Sequence, residues 1–208
     1  MMKLRLVGVF TVVLWISMGT GLWGGEVEEE MSQSSHRKAT FAGGCFWCMQ
    51  PVYDKLPGVV STIVGYTGGS RESPTYEEVS TGRTGHTEAI EVTYDPEKIS
   101  YSNLLNAFWQ SIDPANPRGQ FADTGSQYRT AVFYQNEEEK RLAEESREKL
   151  ARSGKFDKPI ATEIVPASRF YPAEEYHQKY YLKNAGRYEL YKTGSGRAGF
   201  LKKLWGDS

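Results

Sequence analysis

The chain has 208 residues, with 25 lysines and arginines against 26 aspartates and glutamates and a formal charge of −1. So balanced a charge lacks the electrostatic footprint of a nucleic-acid binder. With an N-terminal segment set aside, the length suits one domain with a real core.

The N-terminus reads as a targeting segment. Lys3 and Arg5 precede a run from Leu6 to Leu14 that is apolar except for Thr11, and the apolar character continues to Gly25. This is the pattern of a secretory signal. Leu6 to Trp23 is also about 18 residues, the lower limit for crossing a bilayer, so residues 6–23 could remain as an anchor. Small residues at Ser17, Gly19, Gly21 and Gly24 mark no clear cleavage site. Residues 26–37 are polar and acidic and read as a flexible linker; residues 38–208 form the remaining domain. The expected location is outside the cytoplasm, in the periplasm or on the outer face of the cytoplasmic membrane, where disulfides persist. A catalytic cysteine pair there needs its own source of reducing equivalents.

Residues 38–42 read as a short strand, followed by Gly43-Gly44 and then by the only two cysteines, in Cys45-Phe46-Trp47-Cys48. A helix is expected from Trp47 to Leu56, with Pro51 inside it. Cys45 then sits at a helix N-terminus, where dipole and free N–H groups favour a thiolate. Other readings stay open. Half a zinc site would need a second ligand pair, and His36, His86 and His177 are scattered. A structural disulfide would close too short a loop to stabilise much. A thioredoxin-type pair also follows a strand and opens a helix. Phe46 and Trp47 look like the wall of an apolar pocket, or plain core.

Residues 59–66 are β-branched and read as a strand, with a loop over 67–74. Residues 88–94 alternate, with Glu88, Ile90, Val92 and Tyr94 on one face. Ser100 can cap a helix to Ile112. Residues 114–126 read as an irregular loop and 128–135 as a strand. Asn136 starts a strong helix ending near Ser153-Gly154, 162–165 is a last strand, and 174–182 a short helix. The glycine-containing tail from Thr193 is expected to be loosely held. This order predicts an α+β fold, a two-layer sandwich with a mixed or antiparallel sheet containing a split βαβ unit.

Glu88 shares the apolar face of its strand. A buried carboxylate is costly unless protonated or hydrogen-bonded, and a protonated glutamate near a thiolate is a general acid. The alternative is an exposed first residue of the strand. His86 reads as structural.

Five segments carry a resemblance: Gly44-Cys45-Phe46-Trp47, Pro74-Thr75-Tyr76, Gly82 to Ala89, Asp123-Thr124-Gly125-Ser126-Gln127-Tyr128-Arg129, and Tyr171 to Gln178. In this order the chain resembles the A-type peptide methionine sulfoxide reductases. The resemblance implies a ferredoxin-like core and reduction of the S epimer of methionine sulfoxide in proteins and peptides. It implies that Cys45 attacks the sulfoxide sulfur, that Phe46 and Trp47 receive the substrate methyl group, and that Glu88 protonates the oxygen. Tyr76 and Tyr128 are implied as hydroxyl donors, and Asp123 as a further polar member. No bound cofactor or metal is expected. Many members carry a resolving cysteine in the tail. Here that tail has none, and the resemblance to members with Gly-Cys-Phe-Trp-Cys assigns the role to Cys48, reset by thioredoxin or a similar dithiol. A monomer is implied. Two other classes compete: a general thiol–disulfide oxidoreductase of the cell envelope, which leaves Glu88, Tyr76 and Tyr128 unexplained, and a non-catalytic binding module for oxidised proteins.

Overall fold

A computed structural model describes residues 36–206. The expected signal or anchor (1–25) and most of the expected linker (26–35) lie outside the described residues.

Strand β1 (Arg37–Gly43) leads through Gly44 into helix α1 (Phe46–Asp54). Gly44 has φ 77°, and a Cβ there would lie 2.4 Å from that of Gln120, so the turn requires glycine on both counts. Strand β2 (Val59–Thr67) follows, then a short helix α2 (Tyr76–Ser80) and strand β3 (Thr87–Tyr94). Helix α2 is absent from the sequence expectation, although Thr75 and Glu78 form its capping box. Helix α3 (Tyr101–Trp109), capped by Ser100, stops short of Ile112. The expected irregular loop contains a small hairpin of β4 (Gly119–Gln120) and β5 (Asp123–Thr124), followed by a 3-10 turn over Ser126–Tyr128. Then come β6 (Thr130–Tyr134), α4 (Glu137–Ala151), β7 (Glu163–Pro166) and β8 (Tyr171–Pro172).

The main sheet has the order β7-β6-β1-β3-β2-β8. Only the β6–β7 pair is parallel. Strand β3 lies antiparallel between β1 and β2, which is the split βαβ unit expected from the sequence. One face of the sheet carries Phe41, Val64, Ile90, Val92 and Tyr94 into the main core with Phe46, Met49 and Tyr53 of α1 and Leu104, Leu105 and Phe108 of α3. Phe41 stacks between Tyr53 and Phe108, with ring centroids 5.3 and 5.4 Å away. Glu88 belongs to this same face, directly opposite Tyr66 in the register. The fold is α+β with a mixed sheet.

The C-terminal third departs from expectation. The helix expected over 174–182 is broken into a 3-10 turn (Glu175–His177) and helix α5 (Tyr180–Lys183). Lys179 separates them with φ 53°, a left-handed conformation. Its ammonium lies 2.5 Å from Asp54 Oδ1, and its amide donates to Gln50 Oε1 at 2.7 Å, so the kink is fastened to α1. The tail is not loose either. It forms α6 (Ala185–Gly194) and α7 (Arg197–Trp205), with Gly196 at φ 83° between them. Arg197 is only 4% exposed and donates to the carbonyls of Ser111 (2.5 Å) and Gly43 (2.9 Å). That places the tail beneath the turn that precedes Cys45.

Candidate active site

Cys45 is the N-cap of α1, at the end of β1, and is 6% exposed. The helix start therefore lies where the sequence placed it. The surroundings of Cys45 work against the expected thiolate. Cys45 makes no capping hydrogen bond. The first free amide of α1, the N–H of Phe46, donates instead to Glu88 Oε2 at 3.0 Å. Burial pushes the Cys45 thiol well above its usual range, the hydrogen bond to Cys48 pushes it the same way, and the charge of Glu88 adds to both. Cys48 is pulled down, first by the hydrogen bond from Cys45, against its own burial, and then by the positive charge of Arg197. Of the pair, Cys45 is the harder thiol to ionise and Cys48 the easier.

Glu88 is 3% exposed, so the alternation signal for burial is correct and the alternative of an exposed strand end falls. Burial raises its carboxyl to about 8, outweighing the opposing hydrogen bond from Phe46. At neutral pH it is mostly protonated.

Tyr76 opens α2 and Tyr128 closes the 3-10 turn; each is half-buried. Burial raises both phenols, followed in each by the charge of Glu88, with Cys45 contributing as well. Both stay protonated donors at any physiological pH. Thr87 Oγ1 donates to the carbonyl of Gln127 at 3.0 Å, tying the Tyr128 turn to the strand that carries Glu88. The Tyr76 amide donates to Glu174 Oε1 (2.9 Å), and Tyr66 donates its hydroxyl to Glu174 Oε2 (2.8 Å). Asp123 accepts a short hydrogen bond from the Tyr191 hydroxyl, and burial raises its carboxyl.

The aromatic wall is built from several elements. Phe46 faces Tyr66 at 6.0 Å, and Trp47 stacks on Tyr180 at 3.9 Å. Trp47 Nε1 donates to His177 Nδ1 at 3.0 Å. Because an indole nitrogen only donates, that ring nitrogen is bare and the proton sits on Nε2. His177 is 1% exposed, burial lowers its pKa, and Nε2 has no hydrogen-bond partner. His86 is structural, as expected: it accepts from the Gly69 amide at 3.1 Å and meets the Arg71 carbonyl at 2.7 Å. Among the described residues no group of His, Cys, Asp and Glu is arranged to hold a metal ion.

The family model for peptide methionine sulfoxide reductase matches residues 37–208. The chain belongs to the peptide methionine sulfoxide reductase family. It is 55% identical over 168 residues to the peptide methionine sulfoxide reductase MsrA of Bacillus licheniformis, covering 81% of this chain and 93% of that one. Among solved structures, it is similar to reduced Mxr1 from Saccharomyces cerevisiae with a TM-score of 0.69 at 33% identity, covering 73% of this chain and 87% of that one. It is also similar to Mxr1 in complex with Trx2, with a TM-score of 0.51 at 25% identity over 71% of this chain and 86% of that one.

For this chain of the reductase family, Cys45, Phe46, Trp47, Cys48, Glu88, Tyr76, Tyr128 and Asp123 converge around one helix terminus. Three contributors escaped the sequence. Tyr191 comes from the tail and reaches both Asp123 and Cys45. Glu174 and His177 lie inside the last resembling segment, yet nothing in their spacing assigns them a contact. Tyr188 and Tyr191 lie three positions apart on one face of α6, a helix that the sequence reading did not include.

Proposed function

We propose that this protein reduces the S epimer of methionine sulfoxide in proteins and peptides to methionine. The observation that carries the reading is the buried Glu88 carboxyl at the start of α1, 3.0 Å from the amide that follows Cys45, where burial pushes it up to about 8. A sulfoxide oxygen leaves only when protonated or strongly hydrogen-bonded. Glu88 supplies the proton, while Tyr76 and Tyr128 point phenol donors at the charge developing on oxygen. Phe46 and Trp47 hold the methyl group, and Asp123 completes the polar side. The partial positive charge on the sulfoxide sulfur draws the Cys45 thiol toward thiolate, countering its burial. Attack moves oxygen from substrate to enzyme, leaving methionine and a sulfenic acid on Cys45.

Cys48 is the second of only two cysteines, and it already shares a hydrogen bond with Cys45. We assign it the resolving role of the Gly-Cys-Phe-Trp-Cys variant. Its sulfur attacks the sulfenic acid, water leaves, and a Cys45–Cys48 disulfide remains. A thioredoxin-like dithiol restores both thiols. The charged, then apolar, N-terminus supports export to the cell envelope, with residues 6–23 as signal or anchor; the family resemblance suggests a monomer.

The test uses separated S and R sulfoxides of a methionine peptide with dithiothreitol. Consumption of the S epimer alone, abolished in Cys45→Ser, is expected. Oxidation of a dithiol substrate without sulfoxide turnover would overturn the reading in favour of disulfide exchange.

A further inference from the structure

Tyr176 is an aromatic residue with no part in the chemistry above. It stands on the 3-10 turn Glu175–His177 and is 53% exposed, although the next residue, His177, is buried. A single exposed ring is ordinary; one continuous with other rings is not. The Tyr176 ring lies 4.1 Å from that of His177, and His177 lies 4.4 Å from Tyr76, 5.0 Å from Phe46 and 5.7 Å from Trp47. One aromatic surface therefore runs from the proposed methyl pocket out to solvent, and Tyr176 is its outer end.

The free charge around that end has one sign. Desolvation raises the Tyr176 phenol, and the charges of Glu174 and Glu77 raise it further. Burial opposes the charge of Glu174, but hydrogen bonds from its own amide, the Tyr76 amide and the Tyr66 hydroxyl outweigh it and hold the carboxyl below its usual range. Glu77 is exposed on α2 and forms no ion pair among the described residues. The third acid, Glu175, is neutralised by Lys183 at 2.8 Å. The cation ahead of α2, Arg71, is held by Glu78 at 2.8 Å.

We propose that Tyr176 contacts the residue next to methionine sulfoxide in the substrate chain and selects lysine or arginine there. This deepens the reductase reading above and rests on it. The sulfoxide side chain fills the pocket at Phe46 and Trp47, so the substrate backbone stays at the mouth with its neighbouring side chains alongside. A flat, electron-rich ring beside two carboxylates suits a cation. The ammonium or guanidinium lies over the phenol face, while Glu77 and Glu174 supply the opposite charge. An aspartate or glutamate in the same place meets like charge. Tyr176 thus acts on the choice of substrate and takes no part in proton or electron transfer. A ring that only covered His177 would affect every substrate alike, and this separates the two roles.

The full chain is assayed with dithiothreitol on three short peptides that carry the S epimer of methionine sulfoxide between two lysines, two leucines or two glutamates. Reduction of none of them removes the reductase reading and this inference with it. If they are reduced, kcat/KM is expected to be about fivefold or more higher for the lysine than for the glutamate peptide at low ionic strength, with the leucine peptide between them, and the difference should shrink as salt is added. In Tyr176→Ala and in Glu77→Gln, both at exposed positions, the lysine-to-glutamate ratio should fall at least about twofold, read mostly in KM. Equal rates on the three peptides, a preference for leucine over lysine, or variants that slow all three alike and keep the ratio would overturn the inference and leave the reductase function intact.

Discussion

The amide of Phe46 and the carboxyl of Glu88 meet at 3.0 Å across 42 positions of sequence. The acid, not the nucleophile, therefore receives the helix terminus. That contact steadies whatever charge Glu88 carries once its proton has gone to the substrate. It also fixes the carboxyl beside Cys45, because Phe46 is the next residue along the chain.

Glu88→Gln is expected to slow single-turnover methionine formation by about 10²–10⁴-fold. In the unmodified protein the same rate should fall as pH rises through about 8, where Glu88 loses its proton. A flat profile through that region would remove Glu88 as the acid.

The same carboxyl affects folding. Its pKa is raised on folding, so its stabilising contribution is fully present below about 4.5 and is lost as pH rises through about 8. At about 1.4 kcal/mol per pH unit, the upper limit of that loss is about 5 kcal/mol. Denaturant unfolding at pH 5 and pH 9 should show Glu88→Gln gaining on the unmodified protein at the higher pH. Equal differences at the two pH values would contradict the buried, neutral state.

Cys48→Ser is expected to yield about one methionine per enzyme and then stall with a thioredoxin-type reductant. Quantifying methionine against enzyme concentration reads this directly. Sustained turnover in that variant would assign the resolving step elsewhere.

Tyr191→Phe removes the hydroxyl that meets Asp123 and Cys45. The first turnover should slow about tenfold or more, with little change in unfolding midpoint. An unaltered rate would make Tyr191 a packing residue only.

Arg197→Met leaves the Ser111 and Gly43 carbonyls without their donor while keeping much of the side-chain volume. A loss of about 2–4 kcal/mol is expected in denaturant unfolding, with faster proteolysis at Lys192 and Lys202. Unchanged stability and cleavage would mean that other contacts hold the tail.

The sequence was most readable where physics is periodic. Glu88 could be placed because a strand alternates every second residue, so three apolar neighbours on its face revealed its burial. The split βαβ unit followed from the order of strands and helices along the chain. The tail was misread for the opposite reason. Gly194, Gly196 and Gly199 suggest looseness, yet Gly196 serves as a hinge between two helices, and the anchor is one arginine reaching backbone carbonyls 86 and 154 positions away. Backbone acceptors leave no trace in side-chain patterns. The kink at Lys179 was hidden in the same way, since its cause is Asp54 and Gln50 on a distant helix.

The placement of Glu88 opposite Tyr66 in the β2–β3 ladder has a consequence for how such a chain can vary. Side chains on a strand change faces with every step, so one residue added or deleted between Glu88 and Ile90 would turn the acid to the far side of the sheet. The core could repack around such a slip, and the protein would remain folded but inert. Lineages carrying this site should therefore tolerate length changes in the loop before β3 far better than within the strand, and within the strand two at a time better than one.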